Sequence, residues 1–166
     1  MPMENISLEL KLSLPCLLIG SALFLISFAE PHWLKIDVPL ATAYMGLWKR
    51  CGGTAEFPEM EICSKCGSDQ SGWLTGVQVL ECICLSAMVA AVALTFRLLF
   101  KQEKMFSLLA SAAGISSGLL GLTGAIVFAS EESEDGSLGW AFYLNIVGDL
   151  LIGAGGGVLM VHAHRV

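Results

Sequence analysis

Four apolar segments, at about residues 12–29, 73–96, 106–129 and 140–161, constrain this chain more than anything else in it. Each has the roughly 20-residue length that a helix needs to cross the hydrocarbon core of a bilayer. Lipid offers backbone groups no hydrogen-bond partners, so such segments are helical. The composition agrees, with 55% of the 166 residues hydrophobic and 14% charged, which is too apolar for an ordinary soluble domain. The charges punctuate the apolar runs: Arg97, Lys101, Glu103 and Lys104 fall in one connector, and Glu131, Glu132, Glu134 and Asp135 in another. A net charge of −6 without a basic stripe excludes nucleic acid as a partner and leaves the lipid bilayer as the first one.

An even number of spans puts both termini on one side of the membrane. The connector at 97–105 carries three cations and is too short to be a domain, so the positive-inside bias places it, with Lys11 and Arg165, in the cytoplasm. The loops at 30–72 and 130–139 then lie outside and hold ten of the fifteen acidic residues. Lys35, Lys49, Arg50 and Lys65 also lie outside, so the cysteines must carry the rest of the topology argument. A cleavable leader ending at Ser27 and Ala29 is the competing reading. The acidic start, Glu4 and Glu9, and the length of the first apolar run favour a retained first helix. The sequon Asn5-Ile6-Ser7 is expected to be unmodified on this topology, and a glycan there would reverse it.

The loop at 30–72 is the only stretch outside the spans long enough to fold by itself. Two strand-like pieces, residues 33–38 and 43–48, broken by Pro39 and by Gly52-Gly53, predict a small antiparallel sheet. An oxidising compartment allows its cysteines to pair. Cys51, Cys63 and Cys66 permit one bridge and one odd thiol, and the spacing leaves the pairing open. Cys63-Ser64-Lys65-Cys66 lacks the second ligand pair of a zinc site and the surroundings of a redox motif, so no metal and no cofactor is expected. Cys16, Cys82 and Cys84, inside apolar runs, are expected to be buried small hydrophobes.

Glu81 in the second segment and Asp149 in the fourth, with Asn145 a turn away, are polar groups at membrane depth. Such groups usually face a bundle interior. They are read as packing or partner contacts, with hydration of Glu81 at the membrane surface as an alternative. A proton or ion pathway is less favoured, because no chain of such groups crosses the membrane. Gly114, Gly118 and Gly121, and Gly153 and Gly157, form small-residue faces that let helices approach closely, either within the bundle or against a partner helix. His32, His162 and His164 stand apart from any nucleophile, and no triad, zinc-protease or glycosidase spacing appears, so no enzyme is expected. The acidic residues 131–135 lack EF-hand spacing and are read as a solvated turn.

Trp33, Gly46-Leu47-Trp48, Cys51 and Cys63, placed between a first and a second span, resemble the tryptophan, Gly-Leu-Trp and two-cysteine signature of one superfamily. It comprises the claudins, peripheral myelin protein, epithelial membrane proteins and calcium-channel gamma subunits. Gly139-Trp140-Ala141-Phe142-Tyr143 is similar to the stretch that opens the fourth helix in gamma subunits and epithelial membrane proteins. The resemblance covers the whole chain and implies one tetraspan domain: an all-α membrane fold, a left-handed four-helix bundle topped by an extracellular antiparallel β-sheet. It implies that Cys51 and Cys63 are the paired cysteines, with Trp33 and the Gly-Leu-Trp segment locking the sheet to the bundle.

The chain departs from the pattern in having no arginine just before the second span and no sequon in the outer loop. Its last residues, His162 to Val166, do not match the scaffold-binding ending of junctional claudins, so direct scaffold attachment is not expected. The resemblance implies a multi-pass plasma-membrane protein of one of two kinds. One acts in cell contact, membrane organisation or a paracellular barrier through self-association, with acidic outer loops favouring cations. The other is an auxiliary subunit of an ion channel or receptor. Fold alone does not choose between them.

Overall fold

The first helix begins before the apolar run does, because Ser7 caps it. The Ser7 hydroxyl accepts the Leu10 amide at 3.4 Å, and α1 runs from Leu8–Ala29. The computed structural model describes residues 7–38, 41–54, 57–66, 72–132 and 136–165. Asn5 and Ile6 of the sequon, Pro39, and Glu134 and Asp135 of the acidic turn lie outside the described residues. The other helices are α2, Gly72–Phe100; α3, Lys104–Glu132; and α4, Trp140–Arg165. All four are long and apolar enough to cross a membrane. Each turns large apolar side chains outward, among them Ile19, Leu25, Val89, Ile126 and Leu150, a surface suited to hydrocarbon and not to water.

The helices outrun their apolar cores where polar contacts finish them. Between α2 and α3 only residues 101–103 intervene; Lys101 pairs with Glu103, and the Arg97 guanidinium sits 4.2 Å from the centre of the Phe106 ring. At the same end of the bundle the Ser7 hydroxyl meets His162 Nδ1 at 3.0 Å, and Arg165 pairs with Glu9. These contacts tie the start of α1 to the end of α4. Helix α4 is the hub: it packs along α1 on one side and α3 on the other, α2 packs on α3, and α1 and α2 meet only lightly.

Five strands form one antiparallel sheet in the order β4-β3-β2-β1-β5. They are β1, Leu34–Val38; β2, Ala41–Met45; β3, Lys49–Thr54; β4, Phe57–Lys65; and β5, Ser137–Leu138. The first four lie between α1 and α2, and β5, from the α3–α4 connection, adds to the free side of β1 through Leu34 with Leu138 and Lys35 with Ser137. Two details differ from the sequence reading. The second strand stops at Met45, and Gly46-Leu47-Trp48 forms the turn into β3, closed by the Gly46 amide donating to the Lys49 carbonyl at 2.9 Å. Gly46 is required there, since a Cβ would lie 2.6 Å from Pro31 Cα. Gly52-Gly53 does not break the sheet either; β3 continues through the pair and absorbs it as a register shift against β4.

Two apolar clusters fill the interior. One, around Leu17, Phe24, Met88, Ile152 and Leu159, occupies the half of the bundle away from the sheet. The other, around Trp33, Leu47, Leu74, Phe128 and Phe142, joins bundle to sheet.

Candidate functional site

The sheet is a platform whose position is set by Trp33. This side chain is fully buried, its indole N–H donates to the Ser27 carbonyl at the end of α1 at 2.8 Å, and its ring meets Phe128 and Phe142 edge-on at 5.1 and 5.9 Å. Backbone bonds fix the same corner: the Gly139 amide donates to the Trp33 carbonyl at 2.8 Å and the Ala141 amide to the His32 carbonyl at 3.2 Å. Ser27 Oγ–H donates to the Ala141 carbonyl at 2.7 Å, so α1 and α4 are joined where both meet the sheet.

At the other end of the sheet Cys51 and Cys63 are bonded across β3 and β4, in register opposite each other. Cys66 is a free thiol, with its sulfur 4.0 Å from the Gly46 carbonyl. Leu47 is fully buried in the cluster with Trp33, and its carbonyl accepts the Gln78 amide of α2 at 2.6 Å. Trp48 leans on Phe28 of α1, with ring centres 5.2 Å apart. Trp33, Gly46, Leu47 and Trp48 therefore act together, seating the sheet on α1, α2, α3 and α4.

The face of the sheet that turns Leu34 and Met45 toward the bundle also holds a shallow cavity of about 460 Å³ lined by Ile36, Tyr44, Arg50, Ile62 and Ser64. Ile62 is 72% exposed. Arg50 is exposed at the cavity wall, whereas Lys49 and Lys65 are exposed on the opposite face, the one that carries Cys63. Lys35 and Asp37 pair at 2.9 Å on β1, and Thr42 Oγ1 donates to the same carboxylate at 3.3 Å. The hydrogen bond from Lys35 holds the Asp37 carboxyl below the usual range, and the same bond raises the Lys35 ammonium. Both groups are exposed, so the pair contributes little to stability. The cation preference expected of the two acidic outer loops rests largely on Glu56, Glu59, Glu61, Asp69, Glu132, Glu134 and Asp135, whose side chains lie outside the described ones.

The polar groups of the bundle converge between the two apolar clusters. Asn145 Nδ2 donates to Asp149 Oδ2 at 2.9 Å and to Glu81 Oε1 at 3.4 Å, and all three residues are fully buried. Glu81 is thus an interior residue and not a hydrated one at the membrane surface; nine residues into α2, it lies about 13 Å along the helix axis from Gly72. Cys84 joins the group, its thiol 3.8 Å from Asp149 Oδ1, while Ser117 Oγ–H donates to the Cys84 carbonyl at 3.0 Å. Cys82, two residues away, is exposed on the lipid side, contrary to the expectation that it is buried. Helix geometry accounts for this, since residues two apart point to different faces.

Glycines make room for this arrangement. A Cβ at Gly121 would overlap the Asp149 carboxyl, and one at Gly124 would lie 2.8 Å from Glu81 Oε1. Along the same seam a Cβ at Gly118 would come within 3.0 Å of Gly153 Cα, and one at Gly114 within 3.0 Å of Gly156 Cα. Gly20 and Gly148 play the same part between α1 and α4, where a Cβ on Gly20 would be 2.8 Å from the Gly148 carbonyl. Gly157 has nothing within 4 Å and takes no part in these crossings. Gly20, Gly124, Gly148 and Gly156 were not singled out from the sequence; Gly124 continues the spacing of Gly121, whereas Gly20 stands alone in its segment. Among the described residues no three His, Cys, Asp or Glu side chains are grouped as metal ligands.

The sequence of residues 7–160 matches the family model described as the PMP-22/EMP/MP20/Claudin family. No curated protein shows significant sequence similarity to the chain.

Proposed function

The chain belongs to the PMP-22/EMP/MP20/Claudin family, and from that premise we propose that it is a non-enzymatic plasma-membrane protein acting in cell contact or a paracellular barrier through its sheet. On this reading the sheet is extracellular and both termini are cytoplasmic. The Cys51–Cys63 bond supports the first assignment, because disulfides persist in oxidising compartments. The cations Arg97, Lys101 and Lys104 at the α2–α3 turn support the second.

The observation that carries the function is the edge of the sheet. Among the described residues the nine-residue β4 pairs on one side only, with β3, and its outer backbone groups are free. An unpaired edge of that length is a template for another strand, and a second copy of the sheet presents the same edge. Self-association at the edge and contact through the face around Ile62 would assemble neighbouring molecules. The test is expression of tagged protein in cells that form no junctions of their own. Concentration at contacts between expressing cells, with altered ion permeability of a monolayer, is expected. Uniform surface distribution with unchanged permeability would overturn the reading.

A second reading has its own support. Helix α4 turns Tyr143, Val147, Leu150 and Ala154 outward, and Gly157 lies open beside them. A partner helix could approach that face closely, as an auxiliary subunit's would. Stoichiometric recovery of one channel or receptor in mild detergent would establish this reading over the first.

A further inference from the structure

Along one exposed face of α2, beneath Trp48 of the sheet, runs a lateral groove. It has a volume of about 440 Å³, Trp48 forms one wall, and Thr75, Gln78, Val79, Cys82 and Ile83 of α2 line it down to Ser86. Five of these α2 residues, Thr75, Val79, Cys82, Ile83 and Ser86, are exposed, so the groove opens sideways from the bundle. From Thr75 to Ser86 it follows the helix for about 16 Å. That is about half the ~30 Å thickness of bilayer hydrocarbon, the depth of one leaflet, and too short a track for a spanning helix.

Its polarity is graded along that length. The end beneath the sheet carries the Thr75 hydroxyl and the Gln78 amide, whose nitrogen uses one N–H on the Leu47 carbonyl and keeps a second. The indole N–H of Trp48, on the wall of the same groove, is buried without an acceptor among the described residues. Deeper in, Val79, Cys82 and Ile83 are apolar, and the Ser86 hydroxyl is already spent on the Cys82 carbonyl at 2.9 Å. Hydrogen-bond donors at the head and an apolar track of one leaflet's depth match a chain that begins with an acceptor and continues as hydrocarbon.

We propose that this groove holds one acyl chain of a glycerophospholipid from the leaflet on the sheet side, with its ester carbonyl level with Thr75 and Gln78. The chain lies along α2 under Trp48 and so supports the Gly46-Leu47-Trp48 turn from below.

The test uses the full chain in phosphatidylcholine vesicles containing a phosphatidylcholine with a diazirine in one acyl chain, followed by mapping of the adducts on the peptide. Adducts should concentrate on Val79, Cys82 and Ile83. Val79→Phe and Cys82→Phe, which fill the groove from exposed positions, should lower the yield there about tenfold, whereas Val89→Phe on the same helix should not. The intact Cys51–Cys63 bond reports folding, and should both groove variants lose it, the wild-type adduct map alone decides. Adducts spread evenly over Leu25, Val79, Ile126 and Val147 would overturn the proposal. So would a photoactivatable sterol that labels the groove and that phosphatidylcholine does not displace, or crosslinks there to a second copy of the chain.

Discussion

The side of the molecule where β1 and β5 meet α3 and α4 and the side where β3, β4 and Trp48 overlie α1 and α2 are built by different means. The first is closed by atoms in contact: Trp33 among Phe128 and Phe142, backbone bonds from Gly139 and Ala141, and glycines that bring α4 against α3 and α1. The second is held by a covalent bond, one side-chain hydrogen bond and a tilted aromatic pair over an open groove. A close-packed seam resists any added volume. A stapled and open region keeps its shape while leaving an edge and a face for other molecules. The close-packed contacts that resist unfolding thus lie on the first side, and the surfaces proposed above for recognition lie on the second.

Trp33→Ala should break the comparison most severely. It removes a fully buried indole, its bond to the Ser27 carbonyl and the centre of the aromatic cluster, at a cost of about 3–5 kcal/mol. Denaturant titration in mixed micelles measures this, and a loss below about 1 kcal/mol would mean that the sheet does not depend on this anchor. Next in size is Cys51→Ser, which opens a loop of sequence separation 12 and should cost about 3 kcal/mol, with retention of the protein inside the cell. Cys66→Ser, at a thiol outside the bond, should reach the surface normally. Equal delivery of the two variants would show that the staple is dispensable.

Glycines on α3 and α4 show how far the close packing of the first side reaches. Gly118→Val drives a branched side chain against the Asp149 carbonyl and Gly153 Cα, 2.7 and 3.0 Å from the Cβ position, and should cost about 2 kcal/mol. Gly157→Val, in open space on the hub helix α4, should change stability by less than about 0.5 kcal/mol. If Gly157→Val instead abolishes recovery of a membrane partner without loss of stability, the outward face of α4 is an interface.

Hydropathy made the four helices legible, and the strand-like piece at 33–38 with the Trp33 to Cys63 pattern made the sheet legible, because both signals are local. What depends on distant partners was not. β5 is two residues long and meaningful only beside β1, about 100 residues earlier in the chain. Glu81, Asn145 and Asp149 stood out as polar groups in apolar runs, yet the cleft that receives them is made by Gly121 and Gly124 on another helix. Cys82 and Cys84 show a deeper limit: lipid and protein interior are equally apolar, so hydrophobicity cannot tell an outward cysteine from an inward one.

The finest test of the comparison is Gln78→Ala. The Gln78 side chain is the one hydrogen bond from α2 to the Gly46-Leu47-Trp48 turn among the described residues, and its removal should cost only about 1 kcal/mol. Its value lies in where that loss is felt. If the two sides are mechanically separate, hydrogen exchange should quicken at the Gly46 and Cys66 amides, which bond to the Lys49 and Trp48 carbonyls around the turn. The Gly139 and Ala141 amides, bonded to the Trp33 and His32 carbonyls on the packed side, should exchange as before. Equal acceleration at all four amides would show that the sheet moves as one rigid plate. The groove beneath Trp48 could then influence the whole outer surface and not only its free edge.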